Sequence, residues 1–297
     1  MTSSIVQPKA GKFSVKEHSR NVHEIAFAFP KVGMEQWCLL ISDVHFDSTL
    51  CDRNLLKKHL DMAKERNAFV LDNGDFFDAM QGKFDKRSTK AELRPEYTSK
   101  ERPYLEHILV DAAKFLEPYG PNLAVFGMGN HETGVLGRHE FNLTQSLVER
   151  LKQGGAPNVH MGGYTGFIKF SVFCGTTQKS IRLHYDHGAG GGSPVTKGVI
   201  QTARRAAYIS DCDICWYAHT HNSWIVDIAR IRLNIHNQVE HLRQTHVKSP
   251  GYKNAYADGW GGWDVERGHN PKTLGGMWIR FYSPSHKQVE MDFIMTR

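Results

Sequence analysis

The amino-acid sequence predicts an α/β protein layered on two sheets. Two observations carry that expectation. In the first half of the chain, short apolar runs alternate with longer stretches whose apolar residues recur at helical spacing. In the second half, strand-like runs follow one another with few helices between them. There is no internal repeat and no low-complexity linker, and 297 residues are enough to bury a sizeable core. The expectation is one domain over 1–297.

Taken in order, Trp37 to Ser42 reads as a buried strand, and Asp52 caps a helix carrying Leu55, Leu56, Leu60 and Ala63. Ala68 to Asp72 is a second strand. Pro103 stands early in a helix whose Leu105, Ile108, Leu109, Ala112 and Leu116 share a face. Leu123 to Phe126 is a third strand, followed by a helix with Phe141, Leu147, Val148 and Leu151. Phe167 to Phe173 and Ser180 to Tyr185 pair around a turn at Gly175-Thr176-Thr177. Ser193-Pro194 opens a helix through Val199, Ile200, Ala203 and Ala207. Asp213 to Tyr217 is a strand, and Ser223 to Ile235 alternates like a hairpin. The glycine-rich, aromatic stretch at about 250–276 has no regular period and reads as irregular.

Composition excludes several classes. Hydrophobic residues at 40% and charged residues at 23% argue against global disorder. No apolar run approaches the roughly 18 residues of a membrane span, and the first residues lack a secretion-signal layout. Five scattered cysteines do not make a disulfide scaffold. A cytoplasmic protein that avoids membranes is the expectation. The net charge of +6 suits polyanionic partners without demanding them. The 17 histidines say more, because a neutral imidazole both ligates metals and carries protons.

The chemistry collects in five clusters, each just after an expected strand. They are Asp43-Val44-His45, Gly74-Asp75-Phe76-Phe77-Asp78, Gly129-Asn130-His131-Glu132, His187-Gly188 and His219-Thr220-His221. Asp-x-His or His-x-His arises by chance about once in a chain of this composition, so neither motif means anything alone. Order and placement carry the signal, because strand ends converge on a crevice in open α/β sheets. Carboxylate, imidazole and amide ligands suit divalent manganese, iron or zinc better than calcium. Two such ions about 3.5–4 Å apart lower the pKa of a shared water and clamp a phosphoryl group.

In this order the clusters resemble the calcineurin-like metallophosphoesterase superfamily, a two-sheet β-sandwich flanked by helices in α/β/β/α order. The resemblance implies that Asp43, His45 and His221 hold one metal, that Asp75 bridges the pair, and that Asn130, His187 and His219 hold the other. Manganese is the favoured ion, with iron, zinc or nickel as alternatives. His184 stands three residues before His187 and is the other choice for that ligand. By the same resemblance His131 protonates the leaving oxygen or stabilises the charged transition state, and the Asp78 carboxylate orients it. The nucleophile is then a hydroxide shared by the ions, with no covalent phospho-enzyme.

Two departures narrow the substrate. Ala218 stands where the family often has glycine before the final His-x-His. Ala79 follows Asp78 where Ser/Thr protein phosphatases carry a phosphate-gripping arginine, which disfavours that branch. The Gly74 to Asp78 segment is similar to SbcD-type DNA nucleases. A basic insertion loop at about 79–103 follows it, with Lys83, Lys86 and Arg87 among seven basic residues against four acidic ones between Gln81 and Arg102. Arg138, Arg204 and Arg205 are further candidates for substrate phosphate. The expected function is phosphodiester hydrolysis with DNA favoured. A phosphomonoesterase or nucleotide phosphatase on the same metals is the alternative, and a non-catalytic scaffold the third. The roughly 75 residues after His221 leave little room for the extra DNA-capping region of SbcD-type enzymes. Smaller signals carry less: Cys212-x-x-Cys215 has no partner pair, and Gly190-Gly191-Gly192-Ser193 lacks the lysine of a phosphate loop.

Overall fold

The computed structural model of the protein describes residues 6–9, 11–81, 85–86, 88, 93–98, 101–191, 193–257 and 263–296. Two mixed sheets stack face to face. The first has six strands in the order β13-β12-β3-β4-β5-β6. Its centre is parallel: β3 (Glu35–Ile41), β4 (Phe69–Asp72), β5 (Leu123–Phe126) and the short β6 (His160–Met161). β12 (Met277–Ser285) joins β3 antiparallel, and β13 (Gln288–Met295) closes the edge. Parallel strands covered on both faces need continuous apolar runs, which Phe69-Val70-Leu71 and Leu123-Ala124-Val125-Phe126 supply.

Helices cover the outer face of this sheet. They are α1 (Arg53–Glu65), whose first turn is capped when the Leu55 amide donates to Asp52 Oδ1 at 2.9 Å, α2 (Tyr104–Leu116), α3 (Asn130–His139) and α4 (Leu143–Gln153). Leu56, Leu60, Ile108, Leu109, Leu147 and Val148 pack there against Leu39 and Val70 in one buried cluster. A second core lies between the sheets. Phe27, Phe69, Phe170 and Phe281 meet there with ring centroids 5.0 to 5.9 Å apart.

The second sheet has seven strands in the order β1-β2-β7-β8-β9-β11-β10. These are β1 (Phe13–Ser19), β2 (Val22–Phe29), β7 (Thr165–Cys174), β8 (Thr177–Asp186), β9 (Ile214–Tyr217), β10 (Trp224–Leu233) and β11 (Val239–Lys248). Among the described residues, α5 (Gln201–Tyr208) lies beside this sheet, next to β10 and with Arg205 stacked on Tyr217. The layering is therefore helix, sheet and sheet, with α5 alongside. In the irregular stretch at about 250–276, one short helix, α6 (Trp263–Glu266), forms, and no described helix is long and apolar enough to cross a membrane.

Three expected elements differ. The single helix after β5 is two, because Glu140 turns left-handed (φ 52°) and Asn142 starts α4 by accepting from the Gln145 amide at 2.9 Å. The helix expected from Ser193-Pro194 begins only at Gln201, since Lys197 and Gly198 are left-handed and break it. Ser223 to Ile235 is one arm of a hairpin; β11 is the other, and Asn234 organises the turn by accepting from the His236 and Gln238 amides.

Candidate metal centre

The loops leaving β3, β4, β5, β8 and β9 meet at one end of the stacked sheets and bring the five sequence clusters together. Asp43, His45 and His221 place one ligand atom each within 4.8 Å of one another. Asp75, His187 and His219 form a second such group, and Asp75 also groups with His45 and His131. Asp75 therefore stands between the two sets. His45 Nε2 and His221 Nε2 approach to 3.3 Å, and His221 Nε2 lies 3.7 Å from Asp43 Oδ1. His187 Nε2 lies 3.0 Å from Asp75 Oδ2 without hydrogen-bond alignment. His184 is not in the cluster; its Nε2 sits 3.1 Å from the Thr165 hydroxyl.

Each ring is oriented from behind. His187 Nδ1 donates to the Asn73 carbonyl at 2.7 Å, and His45 Nδ1 faces the Asp78 carboxylate at 2.9 Å. In both cases Nε2 is turned toward the cluster, the arrangement in which an outer hydrogen bond fixes the ligating nitrogen. His131 Nδ1 donates to the Asp78 carbonyl at 2.5 Å, which fixes its proton there and leaves Nε2 3.9 Å from Asp75 Oδ2. One expectation is corrected here. The Asp78 carboxylate orients His45, not His131, because its backbone carbonyl already occupies the His131 ring. Lys253 Nζ adds a second contact to that carboxylate at 3.3 Å. Asp78→Asn is expected to weaken Mn²⁺ binding about 10–100-fold in a calorimetric titration, with little loss of melting temperature.

Two carboxylates that the sequence reading left without a role hold the metal loops. Glu132 accepts from the amides of Asp75 (3.0 Å), Phe77 (2.9 Å) and Gly129 (2.8 Å). Asp47 accepts from the amides of Asp78 (2.7 Å) and Ala79 (3.0 Å) and from the Tyr104 hydroxyl. Together they clamp both sides of the Gly74 to Ala79 turn. The backbone there is strained: Asp43, His45, Asp75, His219 and His221 all have φ between 48° and 73°. Gly129 is needed for closeness, since a Cβ there would stand 2.1 Å from Asp75 Oδ1.

Electrostatics point to cations. Asp43, Asp47, Asp72, Asp75, Asp78 and Glu132 are all buried. Burial and then the neighbouring Asp75 push Glu132 up to about 7, and burial with Asp78 raises Asp47. Burial disfavours a charged His187, but Asp75 and Asp43 outweigh it and lift the ring to about 10. A divalent ion would take the place of that proton. Among the buried polar atoms without a hydrogen-bond partner are four from the expected ligands, Asp43 Oδ1, Asn130 Oδ1, His187 Nε2 and His219 Nδ1, with Asp72 Oδ1 and Asn73 Oδ1 beside them. Buried polar atoms are rarely left so, and oxygen and imidazole donors fit a first-row divalent ion.

The expected substrate contacts divide. Arg138 is not free for phosphate, because its guanidinium pairs with the buried Asp85 at 2.7 Å. Arg204 is exposed on α5, whereas Arg205 turns into a cleft beside His219. Lys86 is exposed, and Lys83 and Arg87 lie outside the described residues. Arg94, another base of that loop, donates to the Ser48 and Cys51 carbonyls and so anchors the chain.

No protein-family model and no curated protein sequence matches the chain. Among solved structures it is similar to Vps29 of Chaetomium thermophilum, with a TM-score of 0.37 and 9% identity, over 87% of this chain and 95% of that one.

Proposed function

We propose that the protein is a phosphoesterase that uses two divalent metal ions, manganese foremost, to hydrolyse phosphodiesters. One observation carries the reading: the four orphaned buried donor atoms, Asp43 Oδ1, Asn130 Oδ1, His187 Nε2 and His219 Nδ1, belong to the residues that flank Asp75. Asp43, His45 and His221 would hold one ion and Asn130, His187 and His219 the other, with Asp75 able to serve both. Such a pair would supply an activated water and a clamp for phosphoryl oxygens.

The protein's own groups do the rest. His131 is held by the Asp78 carbonyl through Nδ1 and by its backbone amide, which donates to Asp75 Oδ1 at 2.9 Å. Its Nε2 thus reaches the rim at a fixed place, where it carries the proton for the leaving oxygen. Ala79 offers no guanidinium for a phosphoprotein. DNA is the substrate that fits the net charge of +6 and the exposed Lys86 and Arg102 in the stretch of chain that follows Asp75.

With Mn²⁺ the purified protein is expected to turn over bis-p-nitrophenyl phosphate faster than mono-p-nitrophenyl phosphate, to cleave single-stranded or duplex DNA, and to stop on chelation. Faster turnover of the monoester would move the reading to a phosphomonoesterase. Failure with every substrate, despite bound metal, would leave a scaffold of the same fold.

A further inference from the structure

Beside His219 a small cleft of about 60 Å³ opens between the loop after β8, α5 and the ends of β9 and β11. Lys248, the last residue of β11, lines it and is only 8% exposed. Its ammonium has no hydrogen bond or ion pair among the described residues. Burial pushes its pKa down to about 8, so it is still charged at neutral pH. Arg205 lines the same cleft, stacked on the Tyr217 ring at 4.0 Å and ion-paired with Asp186 at 3.6 Å. The Thr220 hydroxyl accepts from Asn222 at 3.2 Å, which leaves its own proton free to donate. Trp224 supplies an apolar wall, its indole N–H occupied by the Lys197 carbonyl.

Asp43 and Asp186 act on the largely buried Lys248 only through space while Arg205 and Lys272 repel it, so the ammonium gains from a closer anionic partner. The arrangement makes sense when an anion enters. We infer that the cleft is a second anion subsite, in which Lys248 and Arg205 hold a non-scissile phosphate of the substrate whose other phosphate reaches the metal centre. This rests on the phosphoesterase reading for the scissile group only. Charge-assisted hydrogen bonds from two cations favour a phosphate strongly, and His219 both lines the cleft and belongs to the metal group, so the two sites share a wall.

The probes are thymidine 5′-(p-nitrophenyl phosphate) and the same ester carrying a 3′-phosphate, assayed on the full chain with Mn²⁺. The added phosphate is expected to raise kcat/KM about tenfold or more, and Lys248→Met to reduce that gain to under about twofold. In parallel, chelator-treated protein is expected to bind thymidine 3′,5′-bisphosphate more tightly than thymidine 5′-monophosphate, again only with Lys248 present. Lys248→Met removes a buried charge and should melt no lower than the parent; if it fails to fold, Arg205→Gln, at a half-buried surface position, gives the same reading. Tetrathymidylate binding as tightly as the bisphosphate assigns the subsite to a backbone phosphodiester, and weak binding assigns it to a terminal phosphate. Equal kcat/KM and equal affinity for each pair, or a gain that survives in both variants, overturns the subsite. Binding that depends on Lys248 without any hydrolysis would keep the subsite and discard the phosphoesterase reading.

Discussion

Asp75→Asn is expected to abolish stoichiometric binding of two Mn²⁺ ions and to lower metal-dependent hydrolysis on the order of 10³-fold or more. Among the described residues, Asp75 is the one carboxylate that groups with ligands of both sets, with His187 and His219 on one side and His45 on the other. An amide of the same shape keeps one oxygen but loses the charge that holds two cations close, and several kcal/mol of transition-state stabilisation go with it. Although burial disfavours its charge, His131 and His187 hold the Asp75 carboxyl well below the ordinary carboxylate range, so the metal-free variant should melt lower than the parent at neutral pH. Metal content by elemental analysis and turnover of bis-p-nitrophenyl phosphate report the two effects separately. A variant that still binds two ions at full affinity would show that Asp75 does not join them.

His131→Ala is expected to behave differently. Turnover should fall about 10²–10⁴-fold while both ions stay bound. The ring hangs from the Asp78 carbonyl through Nδ1 and projects Nε2 to the rim, and the orphaned donor atoms do not include it. The loss should shrink for an ester whose leaving group needs no proton, such as p-nitrophenolate, and grow for an alkoxide. A uniform loss across leaving groups would point to charge stabilisation in place of proton delivery. Loss of metal instead of rate would make His131 a ligand.

Much of the candidate site was legible because its residues come as short pairs placed after strands. Asp43 and His45 follow β3, Asp75 follows β4, Asn130 and His131 follow β5, and the histidines follow β8 and β9. Their supports were less legible. Asp47 and Glu132 act on backbone amides up to 57 residues away, a pairing that no local pattern encodes. Lys253 and Lys248 come from beyond the last recognisable cluster and reach the site only because β11 runs parallel to β9. The correction over Asp78 has a similar cause: the resemblance assigned its carboxylate to His131, and the folded chain turns the backbone carbonyl to His131 and the carboxylate to His45.

The fold divided along the same line. The buried parallel strands β4 and β5 are apolar throughout and were plain in the sequence. β1, β2, β6, β11, β12 and β13 were not assigned. β1 (FSVKEHS) and β13 (QVEMDFIM) present a face to solvent, so charged side chains dilute their apolar content.

The five left-handed residues around the cluster have a consequence for the way ions arrive. Such torsions are unfavourable in a free chain; Glu132 and Asp47 hold the Asp75 turn through its amides, that turn's carbonyls hold the Asp43 and His45 amides, and Asp43 holds the His219 amide, all before any cation is present. The protein thereby prepays the ordering of its own ligands, and association with metal should proceed with little loss of chain entropy and fast, nearly rigid capture.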